Sequence, residues 1–92
     1  MGLKAFHIFV SGKVQGVGFR IRTRFRAANL DLKGWVKNLE DGRVEILAEG
    51  EEEKIKELLN WIKSQPAFSR VENVEIKELP FSGKYHNFEI RY

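Results

Sequence analysis

One stretch of the chain has the residue types and spacing to hold an anion: Ser11-Gly12-Lys13-Val14-Gln15-Gly16-Val17-Gly18-Phe19-Arg20. Three glycines within seven residues let a loop curl tightly and turn successive backbone N–H groups toward one point. A helix pattern follows, and the first N–H groups of a helix have no intrahelical partner and carry the positive end of its dipole. An arginine at that end is electrostatically wrong for a bare helix. It makes sense where an anion sits between the guanidinium and the loop. The anion is not a nucleotide on a Walker loop, because the lysine and the serine or threonine of that motif are missing. The dinucleotide fingerprint fails on its glycine spacing and its downstream acid. On spacing alone, Gln15 to Arg20 reads either as a phosphate-type cradle or as a structural turn.

The elements that must position this loop follow from periodicity. Phe6, Ile8 and Val10 alternate with Ala5, His7 and Phe9, which predicts a strand. Ile21, Phe25 and Ala28 recur at helical spacing, with Leu32 closing the stripe and Asn29 and Asp31 suited to the helix exit. Lys33 to Leu39 reads as a second strand, Glu40-Asp41-Gly42 as a turn, and Arg43 to Glu49 as a third strand with Val44, Ile46 and Ala48 on one side. Ile55, Leu58, Leu59 and Ile62 mark an amphipathic helix whose acidic first turn, Glu51 to Glu53, complements the dipole; Gln65-Pro66 ends it. Val71 to Leu79 is a strand with a slipped alternation, which predicts a bulge or an edge position. Phe88, Ile90 and Tyr92 form a short terminal strand. The order predicts an α+β, ferredoxin-like βαββαβ sandwich, with two helices on one face of a mainly antiparallel sheet and an extra short C-terminal strand.

Bulk properties narrow the function. Ninety-two residues predict one domain over 1–92. The chain has no cysteine, so disulfide and thiol chemistry are excluded, and this fits a reducing compartment. No apolar run approaches the ~20 residues that span a bilayer, and the N-terminus lacks the pattern of a signal peptide. A cytoplasmic monomer is expected. The net charge of +3 favours anionic ligands mildly. Arg22, Arg24 and Arg26 read as a solvated helix surface, unlike Arg20. His7 and His86 stand far apart without cysteine partners, so they read as strand-face and loop residues; no metal and no cofactor is expected. Ser11 lacks a nucleophile elbow.

Two stretches carry a resemblance. Val10-Ser11-Gly12-Lys13-Val14-Gln15-Gly16-Val17-Gly18-Phe19-Arg20 resembles the first signature of the acylphosphatase family. Gly34-Trp35-Val36-Lys37-Asn38, followed by Asp41-Gly42-Arg43-Val44 and Gly50, resembles the second, with the family's spacing of eighteen positions between Arg20 and Asn38. The resemblance covers the whole chain and implies the same ferredoxin-like fold. It implies hydrolysis of the carboxyl–phosphate bond of small-molecule acyl phosphates without metal or cofactor, with inorganic phosphate as product and inhibitor. Carried over by position, Arg20 matches the arginine that grips the phosphoryl group, and Asn38 the asparagine that orients the attacking water. Gln15, Gly16, Val17, Gly18 and Phe19 match the loop whose backbone N–H groups cradle phosphate oxygens. The chain departs from the family pattern at Ile21-Arg22, where an aromatic pair is common, at Asp31, where a glycine is common, and at Ser64-Gln65-Pro66-Ala67-Phe68, where a Gly-Pro-Pro segment is more usual; none is expected to touch the cradle, and the altered residues bear on the acyl side of the substrate. The alternative is a non-catalytic anion- or RNA-binding ferredoxin-like module. Lys33-Gly34-Trp35-Val36 faintly echoes an aromatic RNA motif, but Asn38 falls where that motif wants an apolar residue, so nucleic acid is not the expected partner.

Overall fold

The alternation around Phe6 to Val10 builds the longest strand, β1 (Leu3–Lys13), in a computed structural model that describes residues 2–64 and 69–92. It is followed by α1 (Phe19–Asn29), β2 (Lys33–Asn38), β3 (Val44–Glu51), α2 (Glu52–Lys63), β4 (Arg70–Leu79) and β5 (Phe88–Arg91). The sheet order is β4-β1-β3-β2-β5. β1 pairs antiparallel with β3 and β4, and β2 with β3, whereas β5 runs parallel to β2. The expected α+β plan is therefore present, and the terminal strand extends the sheet at the β2 edge. Among the described residues, no helix is long and apolar enough to cross a membrane.

Both helices cover one face. Ile8, Val10, Val36, Val44 and Ile46 meet Ile55, Leu58 and Ile62 there, all with no exposed surface. The α2 stripe is as the spacing predicts. The α1 stripe is not. Ile21 and Phe25 are 66% and 71% exposed, and the buried line is Phe19, Thr23 and Ala27. Phe19 stacks on Trp61 of α2 at 6.1 Å between centroids and fixes the rotation of the helix start. Thr23 and Ala27 then let the helix lie close on the sheet, because short side chains keep the backbones near one another. Ile21 and Phe25 turn outward as a consequence.

Of the bulge or edge position expected for this strand, β4 has both: it is an edge strand, and a bulge falls where Ser11 pairs with Asn73 and Gly12 with Val71, leaving Glu72 as the extra residue. A Cβ on Gly12 would stand 2.0 Å from the Arg70 carbonyl oxygen. Gly12 therefore answers to the bulge and not to the loop beyond it. Gln65-Pro66, expected to end α2, lies outside the described residues.

α1 ends in a Schellman motif. Leu32 N–H donates to Ala27 O and Asp31 N–H to Ala28 O, both at 3.0 Å, while Leu32 packs into the core. The first residue past the helix cap in this motif must be left-handed, and that residue, Asp31, has φ 59°. Glycine takes this conformation without the Cβ clash that an L-residue meets. Asp31→Gly is expected to raise stability by about 0.5–1 kcal/mol, seen as a few degrees in thermal melting. Its exposed contact with Lys33 at 3.3 Å contributes little to offset this. Gly34→Ala is expected to leave no cooperative melt, because the added Cβ would meet the Leu47 carbonyl oxygen at 1.9 Å in mid-sheet.

Candidate active site

The C-terminal ends of β1 and β2 lie at the same edge of the sheet, because each runs antiparallel to β3 between them. Val44 on β3 pairs with Val10 on one side and with Asn38 on the other. Adjacent strands are ~4.8 Å apart, so Asn38 stands roughly 10 Å across the sheet from the strand that feeds the glycine loop. The loop closes that gap. Gly16 and Gly18 have φ of 75° and 76°, and Gly18 caps α1 with no side-chain bond to the first turn. The first N–H groups of the helix thus have no side-chain cap. A Cβ on Gly16 would point into open space, so the requirement for glycine there is backbone conformation alone.

Gly16, Gly18, Phe19, Arg20 and Asn38 line one cavity of about 180 Å³, together with Val14 and Ile21. Five of the seven expected site residues therefore meet in one place. Arg20 lies with its guanidinium 4.9 Å from the centre of the Tyr92 ring. An aromatic face attracts a cation without neutralising it, so the charge stays available. The Oδ1 of Asn38 is buried without a hydrogen-bond partner among the described residues. A buried acceptor left alone is unfavourable by about 1–3 kcal/mol, and a donor at this strand end removes that cost.

Gln15 and Val17 do not line the cavity. Gln15 Nε2 donates to Leu39 O at 2.7 Å and to Arg43 O at 2.8 Å, so its side chain staples the loop to the turn that follows Asn38. Val17 packs against the core, and its carbonyl accepts a bond from Arg22 Nη2 at 3.0 Å. The same nitrogen reaches Ser69 Oγ at 2.6 Å. Arg22 is a brace for the loop, a correction to its reading as part of a solvated surface. Arg24 Nε donates to Phe88 O at 3.3 Å, and Arg26 lies 5.5 Å from the centre of the Trp61 ring. The signal that sequence reasoning passed over was polarity: Gln15 is the one amide in a run of glycine and apolar residues, and such a group needs partners when the loop folds inward.

The turn after Asn38 is held independently. Asp41 accepts bonds from Arg43 N–H at 3.1 Å and Arg43 Nε at 2.9 Å, and the backbone N–H of Arg43 foremost holds the Asp41 carboxyl below its usual range. His7 lies on the sheet face opposite the helices, 2.6 Å from Glu45, outside the cavity.

The acylphosphatase family model matches residues 6–90. The chain is 56% identical over 77 residues to an acylphosphatase of Pseudomonas paraeruginosa, covering 84% of this chain and 85% of that protein. It is 50% identical over 88 residues to one of Rubrobacter xylanophilus, covering 96% and 80%. The crystal structure of acylphosphatase from Bacillus subtilis superposes with a TM-score of 0.92 at 42% identity, covering 99% of this chain and 100% of that one.

Removing the Gln15 staple is expected to loosen the site before it unfolds the protein. Leu39 O and Arg43 O each keep one backbone partner, from Gly42 N and Leu39 N. Gln15→Ala should therefore cost only about 1–2 kcal/mol in urea unfolding, a net loss of about 1 kcal/mol per hydrogen bond.

Proposed function

The chain belongs to the acylphosphatase family, and on that premise we propose that residues 15–20 and Asn38 together hydrolyse the carboxyl–phosphate bond of small acyl phosphates. Family membership sets aside the non-catalytic alternative. The observation that carries the residue assignment is the shared cavity of about 180 Å³, lined by the glycine loop, Arg20 and Asn38.

The phosphoryl group lies against the loop between Gln15 and Phe19, where backbone N–H groups and the start of α1 face its oxygens. Arg20 grips it through a bidentate, charge-assisted pair. At ~4 Å and an effective dielectric of ~20, such a pair is worth about 4 kcal/mol before desolvation. A water molecule, oriented by the Asn38 amide, attacks phosphorus. The bond between phosphorus and the bridging oxygen breaks, and its electron pair leaves with the carboxylate. The water proton passes to a phosphoryl oxygen, so the products are a carboxylate and inorganic phosphate. A carboxylate is a good leaving group, and positioning and charge stabilisation supply most of what phosphoryl transfer needs. Asn38 is neutral over the working range and takes no proton, so the reaction needs no enzyme base.

This reading takes the protein as a monomer acting as a single domain over 1–92. The cysteine-free sequence fits the cytoplasm. Inorganic phosphate, the product, occupies the same cradle as a competitive inhibitor.

Benzoyl phosphate hydrolysis in the presence of a chelator tests the assignment. Wild type is expected to turn over; Arg20→Ala and Asn38→Ala are expected to lose about 10²–10³-fold in kcat, as when a preorganised donor is removed from a charge-stabilising site, while their far-UV spectra stay unchanged. Full activity in Arg20→Ala would sink the assignment. Phosphate at a hundred times its Kd should stabilise the wild type by about 2.7 kcal/mol and should not do so for Arg20→Ala.

A further inference from the structure

Arg20 is held differently from its neighbours Arg22 and Arg24. Those two donate hydrogen bonds, to Val17 O and Ser69 Oγ and to Phe88 O. Among the described residues, no hydrogen bond and no ion pair fixes the Arg20 guanidinium; its contact is the ring of Tyr92, 4.9 Å away at the centroid. A long charged side chain on a helix start has many rotamers open to it. Some neighbour must set its direction if it is to face the cavity before a phosphate arrives.

Strand alternation explains how Tyr92 comes to stand there. Arg91 of β5 pairs with Lys37 of β2, and the two strands run parallel, so the next residues along, Tyr92 and Asn38, stand level. Ile90 and Val36 pack on the helix face of the sheet, and a step of two residues along each strand returns Tyr92 and Asn38 to that face. The helix on that face starts with Phe19 and Arg20. Tyr92 thus has a catalytic group on either side. It lines a hollow of about 480 Å³ with Asn38, and it meets the Arg20 guanidinium. It does not line the phosphate cavity itself, so it acts on the reaction through Arg20.

We propose that Tyr92 is a positioning residue of the active site: its ring steers the Arg20 guanidinium toward the phosphate cavity and leaves the whole cation for the phosphoryl group. The choice of an aromatic partner matters. A carboxylate in this place would also hold the arginine, but it would occupy the N–H groups that a phosphate needs. An aromatic face attracts the cation through its quadrupole and uses none of those donors. Burial does not account for the ring, because Tyr92 is 97% exposed. Its substitution therefore removes no core packing.

The proposal rests on the hydrolase reading above, and two measurements separate them: the Kd of inorganic phosphate by calorimetry, which needs no turnover, and kcat/KM for benzoyl phosphate. Tyr92→Leu is expected to weaken phosphate about twofold to fivefold, the size of an exposed cation–π contact, and to lower kcat/KM at least as much. Tyr92→Phe keeps the ring and should match the wild type in both. In an Arg20→Ala background, Tyr92→Leu should cause no further fall in kcat/KM, because the ring acts only through the guanidinium. A merely structural role would instead lower the melting temperature and act whether or not Arg20 is present. Unchanged phosphate affinity in Tyr92→Leu overturns the proposal. So does a loss in Tyr92→Phe equal to that in Tyr92→Leu, or the same fall in the Arg20→Ala background. A wild type that binds phosphate but leaves benzoyl phosphate intact sinks the hydrolase reading, and phosphate affinity in the Tyr92 variants then decides the contact by itself.

Discussion

The site depends on a constraint of strand direction. β1 and β2 both run against β3, and the Val44 row sets Val10 and Asn38 level with one another. That single fact brings the glycine loop and Asn38, eighteen positions after Arg20, to one edge of the sheet. A slip of one residue in the β2–β3 register would turn Asn38 to the other face and Val36 out of the core, so core burial and site geometry enforce the same register. The parallel pairing of β5 with β2 then carries the last residues to the same edge, where Tyr92 meets Arg20.

On this frame the loop is tied down at identifiable points. Its glycines take positive φ, Gln15 ties it to the β2–β3 turn, Arg22 ties its far side to Ser69, and Phe19 anchors the helix start on Trp61. Donors already aimed before the ligand arrives need no reorganisation during the reaction, which is where electrostatic stabilisation is largest. A small domain with a modest core supports such preorganisation because the bonds are local and each falls on a different neighbour. Arg20 alone among the arginines of α1 is left facing the cavity; Arg22, Arg24 and Arg26 each have a structural partner.

The rotation of α1 gives that helix two unlike faces. Phe19, Thr23 and Ala27 hold it to the core, and Ile21 and Phe25 are left exposed. Helical spacing picked Ile21, Phe25 and Ala28 as the inward stripe, because period gives the spacing of a face and not which face is inward. The choice between the faces was made by a partner distant in sequence, Trp61.

The chain's local chemistry determined a good deal: the strand and helix order, the hairpin, the exit of α1 near Asp31, the irregularity of β4, and a glycine loop with an arginine that reads as an anion cradle or a structural turn. These follow from side-chain period, backbone permissiveness and charge, which act within a few residues. Asn38, by contrast, was singled out only by the resemblance to a family. Tertiary structure decided the direction of β5, the inward face of α1, the place of Gly12 in a bulge, and the roles of Gln15 and Arg22. Each of these rests on contacts between residues far apart in the chain, such as Gln15 with Leu39 and Arg43, Arg22 with Ser69, and Phe19 with Trp61. Period and propensity carry no information about such pairs, because the partner is selected only when the layers pack.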